Sequence, residues 1–258
     1  MTERRIDPLA EAFSGAADRY DRGRLAYLPE PIDWAWETLG LGADATVVDL
    51  AAGTGKLAVQ LAGRAGRLIA VEPLDGMRRV LSRQAPEAEV IDGTAERMPL
   101  PDGAVDAVFV GEAFHWFDGD RALPEIHRVL RSRGGLVMIW NTGEWHDQPW
   151  SEEVFDRIDR EPKPDVRPEN RPWTGLWRRF FEDTPLFDPL QMESFPHVVH
   201  TDVEGFVLMV STWSFVAALP DEARERLADD LTRIITDRIG TDQLALHLRT
   251  EVYLTRAR

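Results

Sequence analysis

An aspartate, two glycines and a glutamate carry the strongest chemical signal in the sequence. Val47-Val-Asp-Leu-Ala-Ala-Gly-Thr-Gly-Lys56 runs an apolar segment into Gly53 and Gly55 and then into a helix-like pattern. Glycines at such a turn allow tight backbone and let a ligand approach the main chain. Glu72 follows Gly55 by seventeen residues, at the end of the next apolar run. A carboxylate there can accept hydrogen bonds from both hydroxyls of a ribose. The pairing points to an adenosine-containing ligand bound across the C-terminal ends of the strands.

Two ligand classes compete for that crevice. Gly53-Thr-Gly55-Lys-Leu-Ala58 satisfies G-x-G-x-x-A, so a dinucleotide, and with it an NAD-dependent oxidoreductase, is one reading. Asp49, four residues before Gly53, argues against it, because it would repel a pyrophosphate. A ligand with an ammonium and a sulfonium would be attracted instead, which favours S-adenosylmethionine. Methyl transfer from a sulfonium is an in-line displacement. The protein's contributions to it are alignment, exclusion of water and, for a weak nucleophile, removal of a proton. His115, in Val110-Gly-Glu-Ala-Phe-His-Trp-Phe-Asp118, is the histidine placed to act as base near neutral pH. The competing reading makes it a hydrogen-bonded structural residue.

These residues need a frame. Short apolar runs at Thr46–Ala51, Arg67–Glu72, Ala88–Ile91, Val105–Val110 and Gly135–Trp140 alternate with amphipathic stretches to about Arg64, over Asp75–Gln84 and over Arg121–Arg131. That rhythm predicts a parallel sheet with helices on both faces. Unbroken apolar runs suit strands covered on both sides. Residues 142–190 break the rhythm with seven prolines, which preclude a long helix. A strand near Met192–Thr201, a helical region over about Val203–Asp237 and a last strand near Leu246–Thr255 are expected after it. The predicted organisation is one α/β domain. Residues 1–40 form an N-terminal cap, 41–141 a cofactor-binding core, 142–190 a lid-like insert, and 191–258 the part that completes the sheet.

Six segments in order also resemble a known family. They are Tyr20-Asp-Arg-Gly-Arg-Leu-Ala-Tyr27; Val47-Val-Asp-Leu-Ala-Ala-Gly-Thr-Gly55; Ala70-Val-Glu-Pro-Leu-Asp-Gly-Met77; Gly93-Thr-Ala-Glu-Arg-Met-Pro-Leu-Pro-Asp102; His115-Trp-Phe-Asp118; and Glu125-Ile-His-Arg-Val-Leu-Arg-Ser-Arg-Gly-Gly135. Together they are similar to class I S-adenosylmethionine-dependent methyltransferases of the small-molecule, type 11-like group, which includes trans-aconitate and ubiquinone-pathway-like enzymes. The resemblance implies a Rossmann-like doubly wound sheet of seven strands, the last antiparallel. It places Asp49, Ala51, Gly53 and Thr54 around the methionine part of the cofactor and Glu72 at its ribose. Pro73 and Met77 would flank the adenine, with Thr94, Ala95 and Glu96 along its polar edge. Tyr20 and Arg24 would reach toward the methionine carboxylate. Ala51 departs from the family, which usually has glycine there. The implied activity is methyl transfer to a small molecule; a non-catalytic S-adenosylmethionine-binding protein is the alternative of another class.

Composition narrows the acceptor. Nine tryptophans stand beside three tyrosines. Trp116, Trp140 and Trp213 fall where strand ends and a late helix should line a substrate cavity. Trp145, Trp150, Trp173 and Trp177 belong to the proline-rich insert. Aromatic surfaces there suit a flat or apolar acceptor, although packing of the insert explains them equally well. Arg171, Arg178 and Arg179 are candidate partners for an acceptor carboxylate. With 45 acidic against 30 basic residues the net charge is −15, which disfavours a nucleic-acid partner. The absence of cysteine excludes thiolate metal sites and a Cys nucleophile and fits a reducing compartment. His197 and His200 fall on opposite faces of a strand, and His146-Asp147 stands alone, so no metal is expected. The first residues are polar and the longest nearly apolar stretch, Phe206–Leu219, is 14 residues. Crossing a bilayer takes about 20, so a cytoplasmic protein is expected.

Overall fold

Apolar, β-branched runs build the centre of the computed structural model, which describes residues 14–163, 174–182 and 184–258. The strands are β1 (Thr46–Leu50), β2 (Arg67–Val71), β3 (Glu89–Ile91), β4 (Val105–Gly111), β5 (Leu130–Gly143), β6 (Gln191–Asp202) and β7 (Gln243–Arg256). They form one sheet of order β3-β2-β1-β4-β5-β7-β6. β1 through β5 pair in parallel, with Asp49 beside Ala70 on β2 and Phe109 on β4. β7 runs against β5: Ala257 N–H donates to Gly134 O and Glu144 N–H to His247 O. The fold class is therefore the one the sequence predicts.

Successive side chains of a strand face opposite ways, so a strand covered on both sides must be apolar at every position. Val48, Leu50, Ile69, Val71, Val108 and Val110 pack into one buried cluster. Val47, Leu68, Ala70, Ala107 and Phe109 pack into a second. The strand order reverses between β1 and β4, and a doubly wound sheet opens its crevice at that point, at the C-terminal strand ends. Ala51–Gly55 and Glu112–Trp116 leave the sheet there.

The helices are α1 (Ala17–Gly23), α2 (Pro29–Leu39), α3 (Lys56–Leu61), α4 (Asp75–Gln84), α5 (Gly119–Val129), α6 (Ser151–Asp159), α7 (Val203–Val210), α8 (Ser214–Ala217) and α9 (Asp221–Ile239). α2 starts on Pro29 and stops at Gly40, which takes the left-handed φ of +65° that glycine accepts freely. α4 matches its predicted limits. α5 does not: it begins two residues early and ends at Val129 instead of Arg131. The cause is tertiary, since Leu130 is recruited to pair with Val105. The chain then bulges through Arg133 at φ +65° before rejoining β4 at Gly135. The helical region after Val203 is broken into three helices, the last opening after Pro220.

The chain divides into two compact units. One comprises Met1–Leu25, Thr142–Asp165 and Pro196–Arg249, the other Ala26–Asn141, Val166–Phe195 and Thr250–Arg258. The second holds β1 to β4 and most of β5. The first has its own core, in which Trp150, Phe206, Leu227, Leu231 and Ile235 are buried. No helix among the described residues is long and apolar enough to cross a membrane.

Candidate functional site

The turn after β1 is built around two left-handed glycines, Gly53 (φ +57°) and Gly55 (φ +93°). At Gly55 a side chain has no room, because a Cβ would lie 2.6 Å from Leu81 Cδ1 on α4. At Gly53 a Cβ would meet nothing within 4 Å, so open space stands in front of that backbone. Ala51 also has a positive φ, +56°. A left-handed conformation costs an L-residue about 1–2 kcal/mol, which gives a physical reason for the glycine that the family resemblance implies at this position.

Two acidic side chains are buried in this crevice. Glu72 is held by main-chain amides: Gly53 N–H donates to its Oε2 at 2.9 Å and Leu74 N–H to its Oε1 at 2.8 Å. Asp49, 1% exposed, differs: neither carboxylate oxygen has a hydrogen-bond partner in the protein. Burial pushes its pKa up to about 8; the Ala58 amide pulls it down without forming a bond, and the Glu72 charge adds to the rise. The buried Thr54 hydroxyl also finds no partner. Leaving such groups unsatisfied costs about 1–3 kcal/mol each. A cation beside Asp49 would relieve both the missing bonds and the like-charge pair. These orphaned atoms fit an adenosine ligand with an ammonium, and they do not fit a pyrophosphate.

The segment after β3 continues the crevice. Thr94 and Arg97 exchange two main-chain hydrogen bonds of 3.1 Å, a tight turn that carries Ala95 into the core beside Met98. A side chain at Gly93 would press on Pro99 and Val71, each 2.9 Å from its Cβ. Glu96 uses Oε1 to accept the Asp118 N–H at 3.0 Å, so it joins this turn to the start of α5. Met77 is buried on α4, and Arg78 of the same helix donates to Glu72 O at 2.8 Å.

After β4 the chain bends at Glu112, whose φ is +56°, and enters a 3-10 turn over Phe114–Trp116. His115 is 8% exposed and its ring lies 4.8 Å from that of Trp116. Glu112 Oε1 accepts the Asn141 N–H at 2.5 Å, tying the end of β4 to β5. Neither the strain nor the bond at Glu112 leaves a mark in the sequence. A backbone outlier at a strand end is the structural signal for a constrained site.

Five of the tryptophans fall in two aromatic clusters. In the unit holding Ala26–Asn141, Trp140 stacks on Trp177 at 4.7 Å, and Tyr253 meets both edge-on. In the other unit, Trp213 stacks with Trp145 and Phe155, while Trp150 lies edge-on to Phe206. Trp140, Trp145, Trp150 and Trp177 are buried, so core packing accounts for their contact area. Trp116 and Trp213 keep partial exposure. Arg178 is stacked against Trp177 and Tyr253 and hydrogen-bonds the Tyr253 hydroxyl; Arg179 lies over Phe180. Tyr20 and Arg24 form a cation–π pair at 5.2 Å on α1 and the residue after it. Arg171 and Trp173 lie outside the described residues. A surface cleft of about 450 Å³ is lined by Leu123, Pro124, Arg179, Phe180 and Leu186. It contains none of Asp49, Gly53, Glu72 or His115, so it is separate from the crevice. Among the described residues no group of three His, Asp or Glu side chains could hold a metal.

Comparison with known proteins agrees with this geometry. Residues 48–138 match a family described as a methyltransferase domain. An uncharacterized methyltransferase of Mycobacterium tuberculosis is 35% identical over 240 residues, covering 91% of this chain and 89% of the relative. The demethylmenaquinone methyltransferase of Thermus thermophilus is 36% identical over 138 residues, 49% of this chain and 63% of that protein. A solved structure from Anaeromyxobacter dehalogenans, named for a type II methyltransferase, superposes with a TM-score of 0.64. It covers 91% of this chain and 97% of that one at 22% identity, a likeness of fold.

Proposed function

The chain belongs to the class I S-adenosylmethionine-dependent methyltransferases, and from that premise we propose that it transfers a methyl group to a small, largely apolar molecule in the cytoplasm. The observation that carries the cofactor assignment is Asp49, a buried carboxylate with no protein partner, two residues from a turn open at Gly53. Asp49 would accept the methionine ammonium and Glu72 the ribose hydroxyls. Ala51, Gly53 and Thr54 would line the methionine part, and Tyr20 and Arg24 would meet its carboxylate. Pro73 and Met77 would flank the adenine, with Thr94, Ala95 and Glu96 on its edge. When bound, S-adenosylmethionine supplies an electrophilic methyl group on sulfur.

The remaining work falls to the protein. It must hold the acceptor atom in line with the methyl carbon and sulfur and keep water out. Asp49, Glu72 and the turn at Gly53 would hold the cofactor so that its methyl carbon passes to the acceptor and the electron pair of the broken carbon–sulfur bond stays on its sulfur. The proton displaced from the acceptor goes to the His115 ring, which stands on the turn after β4 beside Trp116. An apolar acceptor is supported by the partly exposed Trp116 beside His115 and by the quinone-type substrate in the Thermus thermophilus relative's name. The net charge of −15 disfavours a polyphosphate acceptor. A cytoplasmic location rests on the cysteine-free sequence.

Thermal unfolding with S-adenosylhomocysteine or NADH tests the reading. Ligand at about 100 times its Kd adds about 2.7 kcal/mol of stability, or roughly 5–10 °C in Tm for a chain of this size. The homocysteine ligand should give that shift and NADH none. A shift with NADH alone would overturn the assignment.

A further inference from the structure

Thr94–Ala104 carries the adenine-side turn, yet little of it is regular structure. Met98-Pro-Leu-Pro-Asp102 cannot join a strand ladder, because Pro99 and Pro101 have no N–H. The Met98 N–H and the carbonyls of Met98 and Leu100 must therefore find partners elsewhere. Leu100 N–H supplies one bond to Met98 O within the segment, at 2.8 Å; the others come from α5. Met98 N–H donates to Glu125 Oε1 at 2.7 Å. Arg128 Nη2 donates to Met98 O at 3.2 Å, and Nη1 to Leu100 O at 2.8 Å and to Asp102 at 2.6 Å.

The same guanidinium grips Glu125 with both edges: Nε donates to Oε2 and Nη2 to Oε1, each at 2.8 Å. A guanidinium has five N–H donors in a fixed planar fork. Here one donor sits on Nε, two on Nη1 and two on Nη2, and every one has an acceptor. Two of the acceptors are loop carbonyls and one is a loop carboxylate. Gly103 N–H and Ala104 N–H then donate to the carbonyls of Arg128 and Val129, closing the strap onto the end of the helix.

We propose that Glu125 and Arg128 are positioning residues for base recognition: as a pair they set the place at which the Thr94–Glu96 backbone meets the adenine. The inference rests on the cofactor reading above. The lever is short, since only two residues lie between Ala95 and Met98, and the paired main-chain bonds of Thr94 and Arg97 stiffen the turn. Glu96 continues the line to Asp118 N–H, ahead of α5. Lysine cannot replace Arg128 in this arrangement, because an ammonium keeps the charge but loses the planar fork.

The test is isothermal titration of the full chain with S-adenosylhomocysteine and with S-inosylhomocysteine, which carries a carbonyl where adenine has its amino group. The proteins are the wild type, Arg128→Lys and Glu125→Gln, each checked for folding by its thermal transition. The second variant preserves the test if the first does not fold. The wild type should prefer the adenosine ligand. In the variants its affinity should fall about tenfold, as loss of one well-placed hydrogen bond predicts. Affinity for the inosine ligand should change less than about threefold, so that the preference collapses. Equal losses for both ligands would mean a general structural role, and unchanged affinities would mean none; either result overturns the proposal. A wild type that binds neither ligand would overturn the cofactor reading itself, and this inference with it.

Discussion

Gly53 N–H donates to Glu72 Oε2 at 2.9 Å, and this bond joins the turn after β1 to the end of β2. Because Leu74 N–H holds the other oxygen, the carboxylate is oriented by its own main chain. A ligand with two adjacent hydroxyls thus meets acceptors already in place and does not have to order a free side chain, which lowers the entropic cost of binding.

On the proposed reading, Asp49 would link cofactor binding to pH. Its folded pKa, about 8, lies above the ordinary 3.8, so the folded chain binds this proton more tightly than the unfolded chain. The associated stability is complete below about pH 3.8 and is lost as pH rises toward about 8. Asp49→Asn removes that loss. The variant's Tm advantage over wild type should be absent near pH 4 and grow to its full size near pH 8, on the order of a few kcal/mol. Its affinity for S-adenosylhomocysteine should fall tenfold or more. Calorimetry over a pH series measures both effects, and a Tm difference constant with pH would refute the linkage.

The two glycines of the turn should fail in different ways. Gly55→Ala forces a Cβ against Leu81 at a φ of +93° and should cost about 2–3 kcal/mol in stability. Gly53→Ala meets no protein atom, so only the conformational cost of about 1 kcal/mol applies to folding. Its larger effect should be on the cofactor, whose path the new methyl would enter. Denaturant melts and ligand titrations of the pair separate the two cases.

Ala51→Gly relieves a left-handed alanine. The gain is offset in part by the greater freedom of glycine in the unfolded chain, leaving up to about 1 kcal/mol. A rise in Tm of about 1–4 °C is expected. A fall in Tm would show that the alanine methyl has a packing role that outweighs its strain.

His115→Ala should abolish methyl transfer while leaving S-adenosylhomocysteine affinity within about twofold of wild type. General-base catalysis contributes about 10²–10⁴-fold, so turnover measured with any accepted substrate gives a clear reading. Turnover at the wild-type rate would assign His115 to structure alone.

Trp140 and Trp177 offer a check on the aromatic residues. Trp140 Nε1 is buried with no partner in the protein, so Trp140→Phe removes an unsatisfied donor while retaining ring contact with Trp177 and Tyr253. Stability should change by less than about 1.5 kcal/mol. Trp177→Ala, which empties the centre of that aromatic cluster, should cost about 3–5 kcal/mol. Urea melts distinguish the two.

What the sequence reveals depends on how local the cause is. β1, β2 and β4 are visible as unbroken apolar runs because both of their faces are covered. α4 is visible to the residue because its apolar stripe and its ends are local. The Val129/Leu130 boundary is not, because a pairing with Val105, 25 residues away, turns a helix end into strand. The same division holds for the site. Asp49, Gly53 and Glu72 carry a spacing that chemistry explains. Glu112 and Arg128 show their importance only after folding brings Asn141 and the Met98–Asp102 segment to them. The tryptophans signal aromatic density, but composition cannot say that Trp140, Trp145, Trp150 and Trp177 are buried while Trp34, Trp36, Trp116 and Trp213 keep partial exposure.

The unit made of Met1–Leu25, Thr142–Asp165 and Pro196–Arg249 has a bearing on how such a protein can diversify. Its borders fall inside three strands: β5, between Asn141 and Thr142; β6, between Phe195 and Pro196; and β7, between Arg249 and Thr250. No single crossover can lift it out as a cassette, and an exchange at those borders would cut all three strands. Chimeras joined at those points should therefore fail to fold even between close relatives. Substitutions within the unit and changes in the length of its connecting loops leave every strand intact, so they are the changes such a unit can absorb one at a time.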